Sequence, residues 1–144
     1  DLHYPLRRQR QMCIRDSRAQ SKLLLTGDFN IAPRDEDVWD IEAFRGKTHV
    51  TEPERAAFQM LEEAGLEEVT RRFTEEQRWT YFDYKSMRFQ KNEGMRIDFQ
   101  LASKSLAATV ESAQVDMVER AGDKTSDHCP LLADFDLPDF DSVR

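Results

Sequence analysis

Two short strings near opposite ends of the chain place proton-handling and metal-competent side chains beside apolar runs. Gly27-Asp28-Phe29-Asn30 follows Leu23-Leu24-Leu25, a run that reads as a buried strand. Ser126-Asp127-His128 precedes Cys129-Pro130-Leu131-Leu132, a second strand start. In open α/β sheets, ligands bind outside the ends of strands. Two carboxylates, an amide and an imidazole gathered there point to metal-assisted phosphoryl chemistry.

The spacing sharpens this reading. Asp28 and Asn30 lie two apart, and in an extended segment such positions face the same side. Asp28 then serves as base or acid, and Asn30 orients a substrate in any protonation state. The same residues also suit a strand-end turn. Asp127-His128 reads as an imidazole contacting a phosphate beside a carboxylate near a metal. It also reads as a loop histidine bonded to backbone, with Asp127 capping a turn. Asp98 bears on that choice, because it sits on the polar side of a strand that otherwise looks buried, and a carboxylate there needs a partner. His128 is the candidate, with Asp98 fixing its tautomer and favouring the imidazolium. His3 and His49 have no such context. The acidic run Asp35 to Asp40 lacks the glycine and glutamate of a calcium loop and reads as a solvated loop.

The elements that must position these groups follow from periodicity. Residues 22–27 predict a central strand, and 31–50 a long loop that Trp39 and Phe44 pin to the core. Thr51 is an N-cap candidate with Glu54 closing a capping box and Pro53 in the first turn. Ala57, Phe58, Leu61 and Ala64 supply that helix's apolar stripe, and Gly65 ends it. Leu66 to Phe73 is ambiguous, and Trp79 to Phe82 is rich in strand formers. Met95, Ile97, Phe99 and Leu101 alternate with Arg96, Asp98 and Gln100, the pattern of a strand with one polar face. A short helix over 103–108, a strand over 109–118, a polar loop over 119–128 and a strand over 131–135 complete a mixed α/β order.

Composition sets the limits. The chain has 144 residues, 39% hydrophobic and 34% charged, enough for one domain with a real core. No apolar run reaches the length of a membrane span, and no signal core is visible. Two cysteines, Cys13 and Cys129, are too few for a disulfide framework and predict a reducing cytoplasm. The net charge of −7 argues mildly against binding nucleic acid by bulk positive charge. A few placed cations and a divalent metal still neutralise a phosphodiester locally. Residues 1–20 carry five Arg and two Asp and show no period. Within them Met12 to Ser17 resembles translated adapter sequence, the alternative being a basic tail.

Taken together, GDFNIAP (27–33), TYFDYKS (80–86), GMRIDFQLAS (94–103) and SDHCPLLADF (126–135) resemble, in order, the exodeoxyribonuclease III family. That family is the DNA-repair branch of the endonuclease/exonuclease/phosphatase superfamily. The resemblance covers about residues 22–136, and the segments Glu36–Val38 and Thr48–Pro53 also look like its bacterial members. It implies an α/β fold, the C-terminal half of a four-layer sandwich with a mixed, largely antiparallel sheet. It implies hydrolysis, dependent on Mg²⁺ or Mn²⁺, of duplex DNA at abasic sites and from 3′ ends. Carried over by motif, Asp28 handles the proton of the attacking water or leaving group, and Asn30 orients substrate. Asp98 pairs with His128, which contacts the phosphate, while Asp127, with Asp28, lies at the metal. Tyr81, Met95 and Ile97 match positions lining the pocket for an extruded abasic sugar, or pack simply as strand residues. Arg96 reads as a phosphate or structural contact.

The family's N-terminal half, with an Asn and a Glu that hold the metal and a catalytic loop Tyr, has no match here. The expectation is a non-native or unstructured segment over 1–20, the C-terminal portion of the domain over 21–137, and a tail over 138–144. Such a chain is expected to have little nuclease activity alone, to expose sheet surface and, at full length, to be monomeric. Two other readings stay open: a superfamily phosphatase acting on a phospholipid or inositol phosphate, and a non-catalytic interaction module.

Overall fold

The computed structural model describes residues 22–137, so the readings made for 1–20 and 138–144 lie outside the described residues. Strands β1 (Leu24–Asp28), β2 (Leu66–Glu68) and β3 (Asp98–Ser103) form an antiparallel sheet in the order β1-β3-β2. Strands β4 (Val110–Val115) and β5 (Leu131–Phe135) pair antiparallel as a second sheet. The helices are α1 (Ile41–Phe44), α2 (Glu52–Glu63), α3 (Lys104–Ala107) and α4 (Met117–Ala121). The mixed α/β class with antiparallel sheets agrees with the sequence expectation. Among the described residues no helix is long and apolar enough to cross a membrane.

Helix α2 starts where its sequence says it should. Thr51 is the N-cap, and the Thr51 backbone N–H donates to Glu54 Oε2 at 3.0 Å in a complete capping box, which satisfies amides the first turn leaves unpaired. Gly65, at φ 89°, turns the chain out of the helix, a conformation glycine adopts without steric cost. The helix lays Phe58 against Phe99, with ring centroids 4.9 Å apart. Leu66 and Leu101 complete that cluster, and Leu23, Leu25 and Phe29 pack around it. A second cluster of Val69, Ala102, Leu106, Ala107 and Val110 joins β3 and α3 to the second sheet, with Phe135 packed against it. Each such burial contributes about 1.5–3 kcal/mol.

Several sequence expectations are corrected. Among the described residues strand β1 lies at the edge of its sheet and not at the centre, and Leu24 is exposed. Only Leu23 and Leu25 reach the aromatic cluster, because successive side chains of a strand face opposite sides. Strand β3 is the central one, and nearly all of it is buried, including Gln100. The amide of Gln100 donates to the Leu131 carbonyl at 2.9 Å, tying the two sheets together, so its polar position does not mark a solvent face. The expected strand over 79–82 forms only single bridges, from Tyr81 to Met95 and to His128. The Thr80 and Tyr81 amides both donate to the Met95 carbonyl, at 2.8 and 3.0 Å. Two residues thus oppose one, as in a β-bulge, and the ladder cannot continue. The loop expected over 119–128 begins with helix α4, whose cap Asp116 accepts from the Val118 and Glu119 amides.

The acidic run is not simply solvated either. Asp37 has no exposed surface and accepts from Arg71 through both carboxylate oxygens, at 2.6 and 3.0 Å. The Arg34 amide adds a third bond, at 2.9 Å. Val38 bridges to Met95, Met95 to Tyr81, and Tyr81 to His128. Four segments distant in sequence are therefore stitched side by side across the end of the first sheet.

Candidate active site

The chain leaves β1 through Gly27, at φ 149°, and Asn30, at φ 53°. Between them Phe29 points inward, with its ring 5.6 Å from Phe58 and 6.0 Å from Phe99. Its amide donates to the Ile97 carbonyl at 2.9 Å. Anchoring Phe29 turns its two neighbours away from the core. Asp28 and Asn30 do converge, but through a turn rather than an extended segment. The Asn30 amide donates to Asp28 Oδ1 at 2.8 Å, and Asn30 Nδ2 donates to Oδ2 at 2.9 Å. The side-chain carboxylate bonding two residues onward replaces the strand geometry, as aspartate does in turns. The turn and functional readings of this string are therefore compatible.

Asp28 faces Asp98 in register at the end of the β1–β3 ladder. His128 completes the group from the loop before β5. Its Nδ1 lies 2.9 and 3.1 Å from the Asp98 oxygens, and its Nε2 lies 3.8 Å from Asp28 Oδ2. A carboxylate accepts only, so His128 Nδ1 carries the proton in this contact. The Tyr81 ring stands edge-on to the imidazole, with centroids 5.1 Å apart. The Cys129 amide donates to the Thr80 carbonyl at 2.7 Å, and the Phe82 amide to the Asp127 carbonyl at 2.8 Å. Those two bonds hold the histidine loop in place on both sides of His128.

Burial raises the Asp98 carboxyl above its ordinary range, hydrogen bonds from Thr80 and His128 oppose that, and the nearby Asp28 charge adds to it. Burial also raises the Tyr81 phenol, and the negative charges of Asp83, Asp127 and Asp28 push it further. Tyr81 is thus a neutral hydrogen-bonding and packing group at neutral pH. Beside it opens a cavity of about 280 Å³, lined by Trp39, Phe44, Tyr81 and Met95, with Lys47 and Arg88 among its cations. Arg88 lies 4.4 Å over the Trp39 ring and pairs with Glu93.

Of the expected site residues, Asp28, Asn30, Asp98 and His128 come together, with Tyr81 against them and Met95 lining the adjoining cavity. Ile97 does not line it. At 1% exposure it belongs to the core with Ala32 and Val38. Arg96 is a correction as well. It has no exposed surface, and its guanidinium donates to Thr70 and Thr74 hydroxyls at 2.7 and 2.8 Å, so it cannot meet a phosphate outside. Both follow from the same cause, since β3 and its lead-in are covered on both faces. Asp127 is half-buried beside His128.

Magnesium takes one or two carboxylates and completes its shell with water and substrate oxygens. Asp28 and Asp127 are carboxylates of the chemical type such an ion takes, but the described residues contain no group of three or more side chains that could hold a metal.

Sequence reasoning missed His49 and Thr80. His49, at φ 78°, donates from Nδ1 to the Asn30 carbonyl at 2.8 Å and fixes the turn after Asp28. Only the fold brings these two residues to the site.

Relatives share this arrangement of elements. The chain is 36% identical over 121 residues to exodeoxyribonuclease III of Haemophilus influenzae, covering 78% of this chain and 45% of that protein. Its structure is similar to that of a 3′-5′ exonuclease from Neisseria meningitidis, with a TM-score of 0.81, 40% identity, and coverage of 88% of this chain and 50% of the other. An AP endonuclease from Archaeoglobus fulgidus matches with a TM-score of 0.77 at 28% identity, over 93% of this chain and 55% of the other. The chain thus spans about half the length of the relatives it matches. The endonuclease/exonuclease/phosphatase family pattern runs through residues 13–128, including Asp28, Asp98 and His128, and the chain belongs to that family.

Proposed function

We propose that this chain carries the proton-handling half of a divalent-metal-dependent nuclease acting on duplex DNA at 3′ ends and at abasic sites. The observation that carries the reading is the placement of His128 between two carboxylates, 2.9 Å from Asp98 and 3.8 Å from Asp28. A relative resembling this chain is a 3′ phosphatase from Neisseria bound to a product DNA hairpin. Together with the exonuclease and AP endonuclease likenesses, this favours DNA over a lipid or inositol phosphate, and 3′ ends as the first substrate to test.

In this reading water attacks phosphorus, a new P–O bond forms, and the bond to the leaving oxygen breaks. Asp28 takes the proton released by the water, and the leaving oxygen is protonated from solvent as it departs. Asn30, already bonded to Asp28, orients the phosphate. Protonated His128 donates from Nε2 to a non-bridging oxygen, where charge accumulates in the transition state. Asp98 holds the ring so that Nε2, not Nδ1, faces the substrate. Asp28 and Asp127 would be this chain's oxygen donors to Mg²⁺ or Mn²⁺, which when bound would further neutralise that charge. Tyr81 and Met95 offer an apolar wall for an extruded sugar. The full-length protein is read as a cytoplasmic monomer.

The test joins residues 22–137 to the N-terminal portion of the Haemophilus relative. Duplexes with a 3′ phosphate, a recessed 3′ end or one abasic site are then incubated with Mg²⁺ or EDTA. Cleavage that needs Mg²⁺ and falls by about 10²–10⁴-fold in Asp28→Ala and His128→Ala is the expected result, with little cleavage by the 144-residue chain alone. A folded but inert chimera overturns the DNA reading.

A further inference from the structure

Arg120 lies in the last turn of helix α4 and is only 8% exposed. Arg71 and Arg96 each face a carboxylate, Asp37 and Glu68. Among the described residues Arg120 has no such partner, and its Nε is buried without an acceptor. A buried cation without a counter-charge is costly, so its surroundings must hold it another way. Its guanidinium lies over two rings, 4.8 Å from the Phe89 centroid and 5.3 Å from that of Tyr84. Ring faces attract a cation most strongly where water is excluded. Its Nη2 also donates to the Phe82 carbonyl at 3.3 Å. The Phe82 amide in turn donates to the Asp127 carbonyl at 2.8 Å, beside the bridge between Tyr81 and His128. The main chain of Arg120 reaches the same loop from its other end. Thr125 Oγ1 donates to the Arg120 carbonyl at 2.9 Å, and the Tyr84 hydroxyl donates to the Thr125 carbonyl at 2.6 Å. Residues 125–128 are thus gripped at both ends, and Arg120 takes part in each grip.

We infer that Arg120 is a positioning residue, whose guanidinium, held by the Tyr84 and Phe89 rings, anchors α4 to Phe82 and so holds the loop that presents His128 to the reaction site. The inference rests on the functional reading above only for what His128 then does; the anchoring itself is a property of the folded chain. An apolar side chain at 120 would fill the space but leave the Phe82 carbonyl without its guanidinium donor. With no carboxylate to turn toward, the guanidinium is committed to the two rings and that carbonyl. Arg120→Met keeps an unbranched apolar stem against the rings and removes the charge and the donor. Arg120→Lys keeps a charge and a donor on a stem of similar reach.

The test is amide hydrogen exchange followed by NMR in the 144-residue chain, comparing wild type, Arg120→Met and Arg120→Lys at one fixed pH. In Arg120→Met the Phe82 and Cys129 amides, which bond on either side of His128, are expected to exchange at least about tenfold faster, the loss of roughly one hydrogen bond. The contact between the Tyr81 and His128 rings is expected to weaken with them, while the amides of β3 keep their protection. Arg120→Lys is expected to stay within about threefold of wild type, because the ammonium keeps the ring contacts and a donor. Unchanged exchange at Phe82 and Cys129 in folded Arg120→Met overturns the inference. So does an equal rise throughout β3, which would make Arg120 a general support of the fold, and so does a lysine variant as loose as the methionine one. If Arg120→Met does not fold, the wild type still decides. Guanidinium protons shifted by the two rings and slow to exchange support the anchor, and unshifted, rapidly exchanging ones overturn it. None of these readouts uses DNA. A chimera inert on DNA whose loop depends on Arg120 removes the nuclease reading alone, while an active one whose loop ignores Arg120 removes the positioning role alone.

Discussion

Arg71 grips both oxygens of Asp37, at 2.6 and 3.0 Å, and Asp37 has no surface in contact with solvent. The Asp37 carbonyl in turn accepts the Arg96 amide at 2.8 Å, two residues before Asp98. Removing one partner of such a pair strands a buried charge. Arg71→Ala is expected to lower stability by about 3 kcal/mol. Glu36→Ala, at an exposed partner of the same arginine, is expected to cost under about 1 kcal/mol. Urea denaturation of both variants checks the contrast, and equal losses would show that the pair is not what holds this loop.

Asp98 should make stability depend on pH in a definite direction. Burial raises its carboxyl above the ordinary value of 3.8 despite the bonds from Thr80 and His128. A carboxyl raised on folding binds its proton more tightly in the folded state than in the unfolded one. Its contribution is full below the unfolded value and is lost as pH rises through the folded one. Asp98→Asn is therefore expected to gain stability relative to wild type as pH rises through that window, then hold the gain. The same variant should lose cleavage in the chimera, because the amide no longer holds His128 as a charged partner does. Thermal melts from acid to neutral pH check the sign.

Gly94 is a packing constraint. A Cβ built there falls 2.6 Å from Trp79 Cβ, 2.7 Å from Trp79 Cγ and 2.9 Å from Phe82 Cε1. Gly94→Ala must push Trp79 and Phe82 aside, beside the bulge that joins Tyr81 to Met95. A loss of about 1–3 kcal/mol is expected, together with broadening of the Tyr81 and His128 NMR signals. A variant as stable as wild type, with sharp signals, would show that this contact yields easily.

The cap of α2 gives an independent, milder test. Glu54 is held below its ordinary carboxyl value by the Thr51 side chain first, with backbone amides adding to the effect against the opposing influence of burial. Its stabilisation is present above 4.5 and lost as pH falls through the lowered value. Thr51→Ala is expected to cost about 1 kcal/mol at neutral pH, with the difference shrinking in acid. Helix content followed by circular dichroism checks both points.

Much of the site was legible because its key residues stand at the borders of strong patterns. Asp28 follows a leucine run, Asp98 lies on the polar face of an alternating strand, and His128 precedes a new one. The capping box of α2 was legible for a similar reason, since it is local. The resemblance left Ile97 open as a pocket or core residue and Arg96 as a phosphate or structural contact; alternation put only Arg96 on a side that looked wet, and both are buried because β3 and its lead-in are covered on both sides. Asp37 misled because an acidic run gives no sign of an arginine that is distant in sequence. Thr80 and His49 act through bonds made only when loops meet, and α4 was hidden by the apolar residues Val115, Met117 and Val118, which suit a strand equally well.

The chain of single bridges from Val38 through Met95 and Tyr81 to His128 has a consequence in time. Helix α2 and the five-residue antiparallel pairing of β1 with β3 draw on extended contacts, but each link of this chain joins separate segments by little more than one pair of residues. Closing such loops costs entropy before any link repays it. Refolding should therefore restore helical signal and the Phe58–Phe99 cluster first, and the Tyr81–His128 ring contact last. The group that would perform the chemistry is the final part of the molecule to arrive, and the first to come apart when it is stressed.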